Sequence, residues 1–310
     1  MDMHSTLGAP APRTVAVTGA TGLIGSALVA RLRSRGSTVR RLVRAAGNAE
    51  PGDISWDPER DRLDPRALAG CDAIIHLAGA PVAQRWTSSH KREILESRVR
   101  STSLIARAVA AMDDKPAVVL SGSAVGYYGD RGAELLDETS APGNDFLSSV
   151  VQQWEAAAAP IAATGVRLVT LRTGIVLAKH GGALAKLLLP FRLGAGGPVG
   201  GGQQWMSWIS LDDHVRALEH LLQAGSVGGP VNLVAANPVT NEVFADTLGR
   251  VLSRPAIVPV PAFAVELAFG EMAVATILSS QRVAPKVLGR SGFSFEFPTL
   301  EQALRHELSR

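Results

Sequence analysis

The chain has 310 residues, of which 46% are hydrophobic and 19% are charged. This length and composition suffice for one large α/β domain, or for one domain plus a smaller appended lobe, and they argue against an intrinsically disordered protein. The formal net charge is only +3, and the arginines are interspersed with acidic residues. We therefore expect no nucleic-acid partner.

The cysteine content and two segments of the chain bear on the cellular location. Cys71 is the single cysteine, so an internal disulfide is excluded and a buried thiol in a reducing compartment is expected. Residues 1–13 lack the apolar stretch of a signal peptide and predict a disordered tail. Residues 261–278 are apolar, but Glu266 and Glu271 interrupt them, so they predict a buried helix and not a membrane span. Together these features predict a cytoplasmic protein without a membrane partner.

The first motif is the glycine-rich segment Thr18–Gly25, which follows the short apolar run 15–17. Apolar residues at helical spacing come next, so the pattern predicts a strand, a glycine turn and a helix, as in nucleotide-binding loops. Gly19 would turn the chain sharply, Gly22 would let the backbone approach a diphosphate, and Gly25 would let the helix pack closely on the strand. The diphosphate would then lie at the positive end of the helix dipole.

Strands and amphipathic helices alternate through the first two-thirds of the chain. The predicted strands are residues 14–18, 38–43, 72–77, 117–121 and 166–171, and the predicted helices lie near residues 23–35, 88–112, 148–163 and 213–223. Such alternation is typical of a parallel sheet with helices on both faces. After about residue 173 the rhythm changes, which predicts a smaller C-terminal lobe. We therefore divide the chain into the tail, a nucleotide-binding domain at 14–173 with a strand near 230–234, and a substrate lobe at 174–229 and 235–310.

The second predicted strand favours one dinucleotide over the other. Enzymes that prefer NAD usually carry an acid at the end of this strand, where it holds the ribose 2′-hydroxyl. Here the strand carries no acid and places Arg44 roughly twenty residues after the last loop glycine, where a 2′-phosphate would lie. A guanidinium offers forked donors to phosphate oxygens, so the sequence predicts NADP(H). The alternative is that Arg40, Arg41 and Arg44 are ordinary solvated charges.

Several motifs resemble those of a known superfamily. Those that resemble the extended short-chain dehydrogenase/reductases are Thr18–Gly25, His76–Gly79 and Ser121–Gly129. Those that resemble the narrower epimerase-family, or sugar-nucleotide-epimerase-like, proteins are Arg98–Thr102, Trp154–Glu155, Arg172–Leu177, Leu189–Gly194, Ser279–Lys286 and Gly292–Phe293. The chain is thus similar to an atypical extended short-chain dehydrogenase/reductase over residues 13–308, including that subfamily's C-terminal module of unknown function at about 255–304.

This resemblance implies a Rossmann-type doubly wound α/β fold with a small C-terminal α/β substrate lobe. The residues that it implies as cofactor contacts are Gly19, Thr21, Gly22, Leu23, Ile24, Gly25, Arg44, Leu77, Ala78, Gly79, Arg98, Ser121, Thr173 and Gly174. Ser123 matches the hydroxyl that hydrogen-bonds a substrate oxygen in the superfamily. Arg98 stands where an asparagine is common.

The usual catalytic pair of the superfamily is missing. That pair is Tyr-x-x-x-Lys, in which the lysine lowers the pKa of the tyrosine that transfers the proton. The chain has only two tyrosines, Tyr127 and Tyr128, and neither is followed by a lysine four residues later. When Glu155 is aligned with the acid that usually follows the motif, Leu147 and Val151 occupy the catalytic positions. Neither side chain can transfer a proton.

Three interpretations follow from this loss. Tyr128 or Tyr127 could reach the substrate beside Ser123, although at least one ring is expected to pack under its loop. Bound water or Ser123 could instead serve a reaction with a modest proton demand, such as reduction of an activated double bond. The leading hypothesis is an oxidoreductase or epimerase-like enzyme that acts on a small carbonyl or sugar-nucleotide-like substrate. The third interpretation, and the alternative to an enzyme, is a non-catalytic regulatory or scaffolding protein that binds NADP(H).

The remaining candidates concern the substrate, a histidine and self-association. Residues predicted to line the substrate pocket are Gln84, Arg85, Gln203 and Trp205. His76 fits a satisfied structural group better than a base. No cluster of histidines and cysteines predicts a metal site. The long helices 88–112 and 148–163 could form a homodimer interface, but their apolar stripes would serve the sheet equally well.

Overall fold

The computed structural model describes residues 13–44 and 49–309, and the predicted tail lies outside these ranges except for Arg13. The described strands are β1 (Thr14–Thr18), β2 (Thr38–Val43), β3 (Ile54–Ser55), β4 (Ala73–His76), β5 (Val118–Ala124), β6 (Leu135–Leu136), β7 (Arg167–Thr173), β8 (Ile175–Leu177), β9 (Trp205–Met206), β10 (Trp208–Ser210), β11 (Gly229–Leu233), β12 (Val239–Thr240) and β13 (Arg282–Val283). The described α-helices are α1 (Leu23–Ser34), α2 (Ser88–Ala111), α3 (Phe146–Ala158), α4 (Gly182–Arg192), α5 (Leu211–Gln223), α6 (Asn241–Leu252), α7 (Ala262–Phe269), α8 (Lys286–Arg290) and α9 (Leu300–Ser309).

A parallel sheet of seven strands forms the centre of the molecule, in the order β11-β7-β5-β4-β1-β2-β3. Its inner strands are apolar and almost entirely buried, as expected for a sheet that is covered on both faces. The predicted α/β class and the parallel sheet are confirmed. The strand order reverses direction beside β1, which is the arrangement of a doubly wound fold.

Helices cover both faces of this sheet. On one face α1 and α5 pack their apolar stripes against the sheet, with Leu28 and Leu218 fully buried. On the other face α2 and α3 do the same, with Ile105 and Ala158 buried. The predicted helices are confirmed to within a few residues. The α5 helix begins at Leu211, earlier than predicted, because the Ser210 hydroxyl accepts the N–H of Asp213 and caps it.

The remaining elements form short strand pairs and a separate helical cluster, apart from α8, which packs beside β11. Short strand pairs, β8 with β10, β9 with β12 and β6 with β13, link this region to the sheet. A separate apolar cluster between α4, α6 and α9 includes Phe191, Phe244 and Leu304. The chain returns to the main sheet through β11, which lies parallel to β7. Of the elements after residue 174, β8 follows directly from the carboxyl end of β7, whereas α5 and β11 belong to the main sheet and its helical layer.

The prediction of a buried helix over 261–278 is wrong. The helix α7 ends at Phe269, because Gly270 adopts a positive φ of 62° that does not continue a right-handed helix. Phe263 and Leu267 are 71% and 76% exposed, and a single π-turn follows at Ala273–Ile277. Within the described ranges, no helix is long and apolar enough to cross a membrane.

Candidate functional site

The glycine loop between β1 and α1 forms a cradle for an anion. Gly19 has a φ of 66°, and a side chain there would lie 2.9 Å from the backbone of Leu77. A methyl group on Gly25 would overlap the carbonyl oxygen of Gly19, so α1 begins in direct contact with the loop. The α1 helix has Gly22 as its N-cap, without a side-chain cap or an acidic residue in its first turn. Its first N–H groups are thus left for a ligand, and a diphosphate fits them.

The rest of the loop contributes exposed and half-buried side chains. Thr21 is exposed, whereas Leu23 and Ile24 are half-buried. A side chain at Gly181 would lie 2.8 Å from Leu23, so the turn before α4 packs against the start of α1. The loop therefore lies between the sheet and the later elements of the chain.

Hydrogen bonds around His76 determine which nitrogen of its ring carries the proton. The Thr18 hydroxyl oxygen accepts the N–H groups of Leu77 and Ala78 at 3.0 and 3.1 Å. The Thr18 proton is therefore donated to His76 Nδ1, which lies 2.7 Å away. It follows that Nε2 carries the proton of the neutral ring and donates it to Thr102 Oγ1 at 2.9 Å.

His76 thus acts as a buried structural link. Burial lowers the pKa of His76 to about 4, so the ring stays neutral at physiological pH. Thr102 Oγ1 also accepts the indole N–H of Trp154 at 3.0 Å. The chain of hydrogen bonds from Trp154 to Thr18 fixes the backbone of Leu77 and Ala78 against the glycine loop. This geometry fits the structural interpretation of His76 and not a catalytic base.

Arg98 and Ser121 are buried polar residues whose hydrogen-bonding capacity is only partly used within the described ranges. The Arg98 guanidinium carbon lies 3.2 Å from where a Gly79 side chain would begin and 5.0 Å from the centroid of the Trp154 ring. Arg98 donates to the carbonyl of Ile94, but forms no ion pair within the described ranges. Burial lowers the pKa of Arg98 to about 10. The hydroxyl of Ser121 is buried, with no hydrogen-bond partner among the described residues.

Ser123 lies near the end of β5 and donates its proton to Glu155 Oε1 at 2.6 Å. Arg172 on β7 binds the same carboxylate with two prongs, Nε to Oε1 at 2.8 Å and Nη2 to Oε2 at 2.9 Å. Although burial opposes its charge, the hydrogen bonds with Glu155 raise the pKa of Arg172 above the ordinary value. Since the Ser123 proton is directed at the carboxylate, its oxygen is left as an acceptor. Ser123 can therefore receive a hydrogen bond from a substrate hydroxyl.

The two tyrosines differ in their environment. Tyr128 is fully buried, and its hydroxyl donates to Asn232 Oδ1 at 2.7 Å and accepts from Arg172 Nη1 at 3.1 Å. Burial raises the pKa of Tyr128 to about 12. These contacts leave no place for a substrate, so the predicted catalytic role of Tyr128 does not fit the geometry, and the packing alternative does.

Tyr127 is half-buried, and its ring lies against the guanidinium of Arg172, with 3.4 Å between the guanidinium carbon and the ring centroid. No hydrogen-bond partner for its hydroxyl occurs among the residues that the structure describes. Of the two tyrosines, Tyr127 is thus the one whose hydroxyl keeps its hydrogen-bonding capacity within the described ranges, and it shares Arg172 with the hydrogen-bond network of Ser123.

Thr173 and Gly174 lie at the same edge of the sheet, where β7 ends. The Thr173 hydroxyl lies 3.1 Å from His214 Nε2, and burial lowers the pKa of His214 to about 4. A side chain at Gly174 would overlap the carbonyl oxygen of Ser207, so only glycine allows this close approach. The end of β7 is therefore joined directly to the segment that carries β9 and β10.

The basic residues of β2 also differ from one another. Arg41 pairs with Asp53 and Glu50, and Arg40 donates to backbone carbonyl groups. Arg44 is exposed at the carboxyl end of β2, and no ion pair is found for it within the described ranges. Residues 45–48, which follow it, lie outside the described residues. The structure therefore leaves Arg44 as the arginine of this strand that can meet a phosphate.

The residues predicted to line the substrate pocket have separate partners. Arg85 donates to the carbonyl of Leu267 at the end of α7, and Gln203 donates to Glu242 at 3.0 Å. Gln84 is exposed, and Trp205 stacks against Arg282. The contacts of Arg85 and Gln203 hold surface elements together. In the described part of the chain, no cluster of three or more acidic, histidine or cysteine residues could hold a metal ion.

Sequence reasoning named Glu155 and Arg172 only as marks of a family resemblance and passed over Asn232. A signal for Arg172 was available, because it lies inside the otherwise uncharged segment Leu168–Thr173 of β7. A charge in a buried strand requires a partner, and that requirement points to a buried network. The partner itself could not be identified from the sequence.

Comparison with known proteins gives a consistent family assignment. The model of the NAD dependent epimerase/dehydratase family matches residues 15–234. The model of a domain of unknown function, DUF1731, matches residues 260–307. Epimerase family protein MT2273 of Mycobacterium tuberculosis is 42% identical over 298 residues, which cover 96% of this chain and 98% of that protein. Epimerase family protein SDR39U1 of Homo sapiens is 38% identical over 295 residues, which cover 94% and 98%.

Solved structures agree with this assignment. The structure of human SDR39U1 (isoform 2) with NADPH has a TM-score of 0.88 and 37% identity, covering 96% of this chain and 99% of the human chain. A nucleoside-diphosphate sugar epimerase from Corynebacterium glutamicum has a TM-score of 0.79 and 38% identity, covering 96% of this chain and 58% of that one.

Proposed function

Because the chain belongs to the NAD dependent epimerase/dehydratase family, we propose that it is an NADP(H)-dependent oxidoreductase or epimerase-like enzyme. Its substrate in this proposal is a small carbonyl or sugar-nucleotide-like compound. NADP(H) as the cofactor agrees with the human relative, whose structure contains NADPH. The uncapped start of α1 would hold the diphosphate, and Arg44 would hold the 2′-phosphate.

The observation that carries the proposal is the network of Ser123, Glu155, Arg172 and Tyr127 at the carboxyl ends of β5 and β7. Ligands of doubly wound sheets bind outside the carboxyl ends of the strands. Here Ser123 has an acceptor oxygen, and the Tyr127 hydroxyl has no partner among the described residues.

NADPH, when bound, supplies a hydride to an electrophilic carbon. In the proposed reaction the Tyr127 hydroxyl gives its proton to the substrate oxygen, and Arg172 on the ring face stabilises the phenolate that remains. Ser123 accepts a hydrogen bond from a neighbouring substrate hydroxyl and fixes the orientation of the substrate. Glu155 accepts the Ser123 proton and so keeps it from the substrate, and the Tyr128 hydroxyl accepts a hydrogen bond that holds Arg172 in position. The reverse direction, oxidation of an alcohol, uses the same groups with tyrosinate as base.

Single-turnover oxidation of NADPH against a panel of carbonyl and enone compounds tests this proposal. For a compound that reacts, Tyr127→Phe is expected to slow the turnover by roughly 10²–10⁴-fold, the usual contribution of a general acid. Ser123→Ala would also slow it, whereas Tyr128→Phe, which acts only through Arg172, should slow it less than Tyr127→Phe. Binding of NADPH is measured separately for each variant.

A panel that stays silent while NADPH binds tightly would overturn the enzymatic proposal and favour a regulatory binding protein. Equal rates for wild type and Tyr127→Phe would remove Tyr127 from the mechanism.

Localisation in the cytoplasm and formation of a homodimer remain predictions from the sequence.

A further inference from the structure

Arg282 on β13 is a cation without an acidic partner among the described residues. Its Nε atom is buried and has no hydrogen-bond acceptor there. The guanidinium carbon lies 4.3 Å from the centroid of the Trp205 ring, in a cation–π contact. Burying part of a charge without a counter-charge costs free energy, which a bound anion would recover.

Three other cations in this part of the fold are paired. Arg131 pairs with Glu134, Lys286 with Asp137, and Arg172 with Glu155. Arg282 therefore differs from these three cations, although acidic residues are available in this part of the fold. A cation that binds an anionic ligand is expected to lack an acidic partner within the protein, as Arg282 does among the described residues.

The Ser207 side chain links Arg282 to the candidate active site. Its hydroxyl donates to the carbonyl of Gln281 at 2.7 Å and accepts the N–H of Val283 at 2.9 Å, on either side of Arg282. The backbone of Ser207 contacts Gly174, which directly follows β7. The backbone on either side of Arg282 is thus tied to the edge of the sheet where the proposed substrate binds.

Backbone contacts also hold the Arg282–Trp205 pair in place. Val283 packs with Tyr128 in a buried cluster, so its neighbour Arg282 projects from the opposite face of the strand. The N–H of Trp205 is bound by the Ser280 hydroxyl at 2.9 Å, and its carbonyl accepts the N–H of Gln281 at 3.1 Å. The backbones that carry the ring and the guanidinium are therefore held side by side by contacts within the protein.

We propose that Arg282 and Trp205 form an anion-binding subsite that holds a phosphate or carboxylate group of the substrate. A guanidinium presents forked donors that match both oxyanions, and the indole ring orients it and excludes water from one side. Identification of the bound anion with the substrate rests on the proposed function, whereas binding of the anion itself does not.

Calorimetric titration of the NADPH-loaded protein with pyrophosphate, inorganic phosphate and malonate at constant ionic strength tests the subsite. NADPH occupies the glycine loop, so the probes cannot bind there. We expect at least one probe to bind, and Arg282→Gln to weaken it at least about tenfold, the loss of a charge-assisted pair. Arg290→Gln removes an exposed arginine from the adjacent helix α8 and serves as the matched control.

Arg282→Lys keeps the charge but loses the fork, so it should bind more weakly than wild type and more tightly than Arg282→Gln. Unchanged NADPH affinity in each variant establishes that it is folded. Preference for pyrophosphate or phosphate over malonate identifies a phosphorylated substrate, and the reverse identifies a carboxylate. Equal anion affinity in wild type, Arg282→Lys and Arg282→Gln, or no binding at all, would overturn the subsite. If the anion binds but no compound of the NADPH-oxidation panel reacts, the subsite is supported and only the enzymatic function is rejected.

Discussion

Arg172 and Glu155 form a two-pronged ion pair that joins β7 to α3 beneath Ser123. The Arg172 side chain is 4% exposed and that of Glu155 is 16% exposed, so solvent screens the pair only weakly. Arg172 Nη1 donates to the hydroxyl of Tyr128 and to the carbonyl of Glu138. This pair therefore orients the groups from which we build the active site.

Removing one partner of this pair should destabilise the protein strongly. Arg172→Met leaves the Glu155 carboxylate without its counter-charge, for which we expect a loss of about 3–5 kcal/mol in the free energy of unfolding. Urea denaturation measures the change. Arg131→Gln is the matched control, because it breaks the exposed Arg131–Glu134 pair in the same region, at a cost of about 1 kcal/mol or less. Similar losses for both variants would contradict the structural role of Arg172.

Stability should decrease when the pH falls from about 6.5 to about 4. Burial lowers the pKa of His76 and of His214 to about 4, so the unfolded chain binds protons in this range that the folded protein excludes. Their contribution is complete above pH 6.5 and is lost progressively toward pH 4, by at most roughly 3 kcal/mol for each histidine. Unfolding free energies at several pH values measure the slope.

The variant His214→Gln should have a shallower pH dependence, because it removes one of the two titrating groups. His180→Gln, which replaces an exposed histidine, should retain the slope of the wild type. Parallel curves for all three proteins would show that His214 already binds its proton with an ordinary pKa in the folded state.

The choice between NADPH and NADH should depend on Arg44. Loss of its forked hydrogen bonds in Arg44→Ala is expected to weaken NADPH binding by about 10- to 100-fold and to leave NADH binding unchanged. Arg40→Ala is the control, since Arg40 is already bonded to the carbonyl groups of Gly52 and Ala69. Fluorescence titration gives both affinities. An equal loss for the two cofactors in Arg44→Ala would contradict the assignment of the 2′-phosphate site.

A single methyl group in the glycine loop should abolish cofactor binding. Gly25→Ala places the new carbon against the carbonyl oxygen of Gly19, which is backbone and cannot rotate away. We expect a destabilisation of about 1–3 kcal/mol and a loss of NADPH affinity, because α1 must move away from the strand. Gly201→Ala is the control, since its methyl group would enter open space. Thermal unfolding with and without NADPH measures both effects, and normal NADPH affinity in Gly25→Ala would disprove this account of the loop.

Local patterns predicted most of the sheet and its helices. The strands β1, β2 and β4 appear within a residue of the predicted bounds, because continuous apolar runs between turn residues leave few alternatives. β5 continues to Ala124, three residues past its predicted end, through pairing with β7, which carries Ser123 into the sheet. The helix α7 was mispredicted as buried, because the composition of a segment does not reveal which surface covers it. Whether α7 is buried depends on its packing partners, which no local pattern encodes.

The sequence by itself determined the α/β class, the glycine loop and the position of Arg44, because each depends on residues that are close together in the chain. Only the tertiary structure decided which tyrosine is open, because the Tyr128 hydroxyl is bound by Asn232, 104 residues away. It likewise decided that Arg172 is paired with Glu155, whereas Arg282 remains without an acidic partner among the described residues. Charge compensation depends on distances of a few ångströms between side chains from different elements, and these distances exist only after the sheet and its surrounding helices have packed.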